Sequence, residues 1–290
     1  MISFRTITMV IMKIILSRKG FDSSFGGYPS LIFQNGLLQS LPIPAPDRYD
    51  TIRYSDIYSP YDGLTLYDTM RSLNITNIKA GHRTMRLTKD LPCHLDPDLE
   101  FRSLPRYDEW VGCFGQRGVA QTVLQQRAVG AGDIFLFFGW FHGHPSNNEF
   151  SKGRGSHVIF GYLQVEKVIH PAEEEIPQWL KYHPHAHRKD VDELKNCIYV
   201  ARKYCSWNRQ LKGYGLFNYS DALRLTKNGL SRSKWNLPDI FRNVNIAYHS
   251  VTNWKSDYFQ SAYRGQEFVI EENLEIEKWA ISLIEKNSKR

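Results

Sequence analysis

Residues 129–168 read VGAGDIFLFFGWFHGHPSNNEFSKGRGSHVIFGYLQVEKV, and the fold turns on this stretch. A Gly130-Ala131-Gly132-Asp133 turn opens an apolar run from Ile134 to Phe141. A Gly-rich polar loop then leads to a second run, from His157 to Val168. Apolar runs of this length, rich in Phe, Ile and Val and bounded by turn residues, read as strands. Together they predict a buried hairpin whose long connection is the kind of loop on a rigid sheet that carries binding groups.

Outward from the hairpin, Lys13–Ser17 reads as a short buried strand. Ser30–Phe33 and Leu37–Leu41 bracket Asn35-Gly36, a strong turn signal, before the Pro42-Ile43-Pro44-Ala45-Pro46 stop. Residues 47–112 have weak periodicity and predict irregular structure with short helices. Gly118–Arg127 predicts a helix. Beyond Pro171 two segments show helical spacing. One is Asp190–Tyr204, through Val191, Leu194, Ile198 and Ala201; the other is Asn273–Ile284, through Leu274, Trp279, Ala280, Leu283 and Ile284. With no repeat and no Gly/Ser linker, residues 12–290 read as one α+β unit, and residues 1–11, ahead of Met12, as an N-terminal extension.

The chain of 290 residues carries 37 Lys and Arg against 30 Asp and Glu, a net charge of +7. That balance favours a polyanionic partner, either nucleic acid or a phosphorylated small ligand. Cys93, Cys113, Cys197 and Cys205 lack the C-x-x-C spacing of structural zinc and read as reduced core thiols. No run approaches the ~18 apolar residues of a spanning helix, so the expectation is a cytoplasmic protein without membrane contact.

Several segments offer chemistry. Ser17–Gly27 sets Arg18, Lys19, Asp22 and Ser23 among glycines directly after a strand, a place where backbone amides and cations can converge on phosphate. It matches neither the P-loop nor the dinucleotide spacing, and a solvated turn would look the same. In Cys93-His94-Leu95-Asp96-Pro97-Asp98, His94 and Asp96 are two apart, so on extended backbone both point to one face, as an acid/base pair or two metal ligands require. Asp96-Pro97 also reads as a helix start. Gln116 and Gln121 flank a Gly-rich helix entry and can read a base edge. Trp140 offers a stacking surface. Leu230–Pro238 and Tyr263–Phe268 set cations and amides, Arg264 and Gln266 among them, beside aromatics. The run His183-Pro184-His185-Ala186-His187 resembles a metal cluster, but its dense spacing and proline suit a surface loop, so no metal ligand is assigned. G-x-S-x-G and H-E-x-x-H are absent, which argues against the common hydrolases.

Two resemblances join these pieces. The pattern of a GD turn, a buried aromatic strand, a loop and a strand ending V-x-K-V resembles the small PUA-like β-barrels, which implies a mixed barrel core with helical additions. In order, RKGFDSSFGG, LPIP, CHLDPDL, FGQRGVAQ, GAGDIFLFFGWF, LSRSKWNLP and RGQEFV resemble the third of the nucleotide modification associated domain families. That likeness implies a role on nucleobases, modified ones included, in bacterial or phage base-modification or defence systems, either as an enzyme or as a non-catalytic reader. It carries over Arg18, Lys19, Asp22, Gly26, His94, Asp96, Asp98, Gln116, Gln121, Asp133, Trp140, Arg264, Gln266 and Glu267 as family positions without assigned roles. From the residue types, His94, Asp96 and Asp22 are the candidate catalytic groups. Arg18, Lys19, Ser23, Gln116, Gln121, Trp140, Arg264 and Gln266 are the candidate nucleotide contacts.

Overall fold

The protein is described by a computed structural model covering residues 11–45, 48–143, 155–189, 195–263 and 265–288. The predicted hairpin is its centre. Strand β7 (Ile134–Gly143) pairs antiparallel with β8 (Ser156–Ile169), with Phe160 bulged out where Phe137 faces Gly161 and Phe138 faces Ile159. On its other side β7 runs parallel to β1 (Ile14–Arg18), from Ile14 beside Ile134 to Arg18 beside Phe138. Ile134 through Phe141 are all buried, the continuous apolar reading of a strand covered on both faces. Asp133 fixes the entry by accepting the amides of Lys13 and Gly130.

The sheet continues outward from this trio. Beyond β1 lies β11 (Glu267–Ile270), and beyond β8 lie β9 (Cys197–Ala201) and then the edge strand β6 (Cys113–Gln116). Strand β2 (Ser30–Ile32) adds to the far end of β7 and carries β3 (Leu38–Gln39), and β10 (Tyr214–Leu216) adds to β8. The Asn35-Gly36 turn forms as expected, with Gly36 at φ 82° and Asn35 Oδ1 accepting the Leu37 amide. The sheet curls into a half-barrel. Its outer strands approach through side chains, Gln116 Nε2 donating to Glu267 Oε1 at 2.7 Å, and the described strands do not pair β6 with β11 into a closed barrel. The concave face is filled by rings: Phe114 meets Phe135 and Phe137 edge-on at 5.0 and 5.2 Å and stacks on Tyr199 at 5.8 Å.

Three α-helices lie among the described residues: α1 (Leu66–Ser72), α2 (Gly118–Gln126) and α3 (Leu274–Asn287). Asn273 caps α3 through the amides of Glu275 and Ile276, and Ile276, Ala280, Leu283 and Ile284 turn its apolar stripe inward. No described helix is long and apolar enough to cross a membrane. All four cysteines are buried and free. Residues 21–95 build a satellite core around Tyr54, Met70, Ile75 and Cys93.

Two local expectations are corrected. Cys197–Ala201 is a strand, not part of a helix, while Val191 and Leu194 lie outside the described residues. Its five residues are all buried because Tyr199 faces the main core and Ile198 and Val200 face a smaller cluster on the convex side, so burial there carries no period. Asp96-Pro97 starts no helix: the bond is cis, and only a single 3-10 turn, Phe101–Ser103, follows.

His157 carries a pH prediction. Its ring packs edge-on to Phe138, and its Nδ1 accepts the Trp235 indole N–H at 3.1 Å, which requires neutral imidazole. Burial, and then the charges of Arg18 and Arg232, push its pKa down to about 3. Between imidazole's usual ~6.5 and that value the unfolded chain binds a proton that the folded chain refuses. Stability should therefore fall as pH drops through that window, by up to a few kcal/mol. Urea unfolding at pH 7 and pH 4 measures the loss, and His157→Phe should flatten the dependence.

Candidate functional site

The convex side of β6 and β9 carries the one buried cluster of imidazoles and carboxylate among the described residues that meets at ligand distance. Strand alternation sets its position. Phe114 and Gln116 point into the half-barrel, so Cys113 and Gly115 face outward, where the loop bearing Leu180 and Ala186 covers them. Gly115 leaves the room: a Cβ there would lie 2.3 Å from the His185 ring. Its amide donates to Asp96 Oδ1 at 2.8 Å.

His94 comes from the satellite lobe, on β5 (Cys93–His94) paired with β4 (Ile43–Pro44). Its Nδ1 lies 2.6 Å from Asp50 Oδ1, and the other Asp50 oxygen is 3.5 Å from the Arg188 guanidinium, which also donates to Pro184 O. His185 Nδ1 meets Asn196 Oδ1 at 2.5 Å. The Nε2 atoms of His94 and His185 stand 3.2 Å apart, with Asp96 Oδ2 at 4.0 and 3.9 Å from them. His183 Nδ1 accepts the His185 amide, so its proton is on Nε2, 3.4 Å from Asp96 Oδ1. That N–H faces the carboxylate outside full hydrogen-bond geometry and favours the ionised form as a dipole.

Burial alone would push the Asp96 carboxyl up, but His183, His185 and His94 hold it down at about 2. Burial drives His185 well below the usual imidazole range against the pull of Asp96, keeping it neutral. The side chain of His94 is 17% exposed, against 3% for His185 and 4% for Asp96, so the cluster opens to solvent on the His94 side. Fixed imidazoles around an ionised carboxylate, open on one side, can transfer a proton or ligate a cation.

The sequence-predicted residues divide. His94 and Asp96 meet as their spacing implied, whereas Asp98 is drawn off into a 2.6 Å ion pair with Arg106. The histidine run is not a surface loop: His183 and His185 are buried and only His187 is exposed, its Nε2 against Lys181 O. Lys19, Gln116 and Gln266 gather on the opposite side of β6, around Glu267. Lys19 Nζ lies 2.8 Å from Glu267 Oε1 and 4.3 Å above the Phe114 ring, and Gln116 Nε2 is 3.5 Å from Gln266 Oε1. Arg18 donates to the carbonyls of Tyr263 and Gly265. The two groups thus stand back to back across one strand rather than lining one cleft.

The remaining candidates have local partners. Asp22 Oδ1 accepts the amides of Ser24 and Phe25 in a turn, and no described contact joins it to His94. Ser23 Oγ accepts from Arg232, whose guanidinium covers the buried Trp140 ring at 3.9 Å. Gln121 accepts the Tyr199 hydroxyl inside the core. Arg264 lies outside the described residues. Sequence reasoning missed Asp50, Asn196 and the inward turn of His183 and His185. The signal available was that His183 and His185 repeat the two-residue spacing of His94 and Asp96.

No curated protein and no solved structure matches the chain. One family model does, over residues 13–271, and its description is nucleotide modification associated domain 3.

Proposed function

The chain belongs to the nucleotide modification associated domain 3 family, and from that premise we propose that it is an enzyme acting on a nucleobase carried by nucleic acid, with His94, Asp96 and His185 as its reactive centre. The observation that carries the reading is the convergence of His94 and Asp96 from one segment with His185 from another, each side chain held by its own partner: Asp50, the Gly115 amide and Asn196. An ionised carboxylate held against imidazoles at ligand distance is the kind of arrangement that marks a reactive site, and a pure reader of bases has no use for it. Trp140, the aromatic a reader would stack on, is capped by Arg232.

A nucleic-acid partner is favoured by the net charge of +7 and by a cationic hairpin. Asn77–Ala80 pairs with Arg83–Arg86 and exposes Lys79, Arg83 and Arg86, and neither arginine has an ion-pair partner among the described residues. Each neutralised phosphate releases counterion, so Arg83→Glu/Arg86→Glu should weaken oligonucleotide binding and reduce the slope of log K against log salt by about 1 for each phosphate that is no longer neutralised. Fluorescence anisotropy at several salt concentrations measures both. The chemical part of the proposal is tested by nucleoside mass spectrometry of nucleic acid from cells expressing the wild-type chain. An altered nucleoside is expected. Tight binding with unaltered bases would make the protein a reader, and salt-insensitive binding of a mononucleotide would make it a small-ligand enzyme.

A further inference from the structure

Hydrogen-bond accounting at the reactive centre leaves two lone pairs in need of a cation. Asn196 commits both Nδ2 hydrogens to the carbonyls of His185 and Arg188, so its Oδ1 takes the proton of His185 Nδ1. The carboxylate of Asp50 likewise takes the proton of His94 Nδ1. A ring with a single proton so fixed has a bare Nε2, and the two Nε2 atoms face each other at 3.2 Å. Two acceptors at that distance repel unless something positive sits between them. A shared proton would satisfy the nitrogens but leave Asp96 Oδ2 3.9 Å from the nearer one, beyond hydrogen-bond reach. Asp96 Oδ1, by contrast, is already committed to the Gly115 amide, so the carboxylate presents a single oxygen to the pair.

The separations decide between proton and metal. Sides of 3.2, 3.9 and 4.0 Å define a triangle whose centre lies about 2.2 Å from each corner, the length of a metal–nitrogen or metal–oxygen bond. We infer that His94 Nε2, His185 Nε2 and Asp96 Oδ2 bind one divalent first-row transition-metal ion. Two imidazoles and one carboxylate suit Fe2+, Mn2+, Co2+ or Zn2+ rather than Mg2+ or Ca2+, which take oxygen ligands. Asp50 and Asn196 orient the rings from behind, as carboxylates and carbonyl oxygens do for metal-bound histidines. Three protein ligands leave coordination positions open, and the exposed edge of His94 gives water or substrate a way in.

The inference names the cofactor of the centre proposed above, and its test needs no nucleotide, so the two readings can fail separately. The full wild-type chain, stripped with chelator, is titrated with Co2+. About one ion per chain is expected, with visible d–d absorption and a rise in thermal midpoint. Asp50→Asn should weaken binding about 10–100-fold. Asp96→Asn and His185→Gln should weaken it further, whereas His187→Gln, at the exposed end of the same run, should bind as the wild type does. Unchanged affinity in His185→Gln overturns the assignment, as does a folded wild-type chain that takes up none of Co2+, Zn2+, Fe2+ and Mn2+. If His185→Gln does not fold, the Asp50→Asn affinity decides instead, and no loss there overturns it. Metal uptake without base modification would sink only the enzymatic reading.

Discussion

Asp96→Asn should lower the rate of nucleobase modification by at least the ~10²–10⁴-fold contributed by one general acid or base. The substitution keeps the shape of the side chain, and its amide oxygen can still accept the Gly115 N–H that now bonds Asp96 Oδ1 at 2.8 Å. What it removes is the negative charge that faces His94, His185 and His183. Oligonucleotide affinity should stay near the wild-type value, because the exposed cations of the 77–86 hairpin belong to a different sheet. The expected signature is a fall in kcat without a rise in binding constant, which marks an interaction made in the transition state. Single-turnover kinetics followed by nucleoside mass spectrometry reads it, and an unchanged rate would remove Asp96 from the chemistry.

Gly115→Ala should be nearly as damaging by a wholly steric route. The new methyl would lie 2.3 Å from Cγ and Cδ2 of His185 and 2.9 Å from its Cβ. The ring cannot simply swing away, because Asn196 holds its Nδ1 and Asn196 is itself tied to the carbonyls of His185 and Arg188. Either the loop lifts or β6 shifts against β9, at a cost of about 1–3 kcal/mol. A displacement near 1 Å at a reacting group typically costs ~10²-fold in rate. The urea midpoint and turnover should therefore both fall. A variant with wild-type values for both would mean that the close packing of His185 on β6 is unimportant.

The central hairpin and the α+β class were legible in the sequence because the hairpin's strands are apolar on both faces, whereas the PUA-like barrel read from the same stretch is not borne out. Ile134–Phe141 and its partner admit no amphipathic helix, and the glycine turn at 130–133 and Asn35-Gly36 mark where strands begin and reverse. The strand Cys197–Ala201 looks helical in the sequence for the same reason: with both faces buried, Ile198 and Ala201 fit a helical spacing by coincidence. The site was half legible. His94 and Asp96 share a local spacing, and local spacing is what a sequence displays. His185 reaches them from 91 residues away, and Asp50 from 44, through pairings that only the folded sheet creates. The burial of His185 depends on Gly115 making room beneath it, a long-range fit with no local signature.

The central claim is that this cluster exists for chemistry rather than for stability. His94 tests it most directly, since it is the most exposed of the three and its removal deprives the core of least. Turnover and urea unfolding should be measured on the same preparations of wild type and His94→Ala. The account predicts turnover lost in a chain that still unfolds cooperatively, with a loss of about 1–3 kcal/mol because the buried Asp50 carboxylate keeps Arg188 but loses its imidazole. Turnover retained in a folded His94→Ala variant would contradict it.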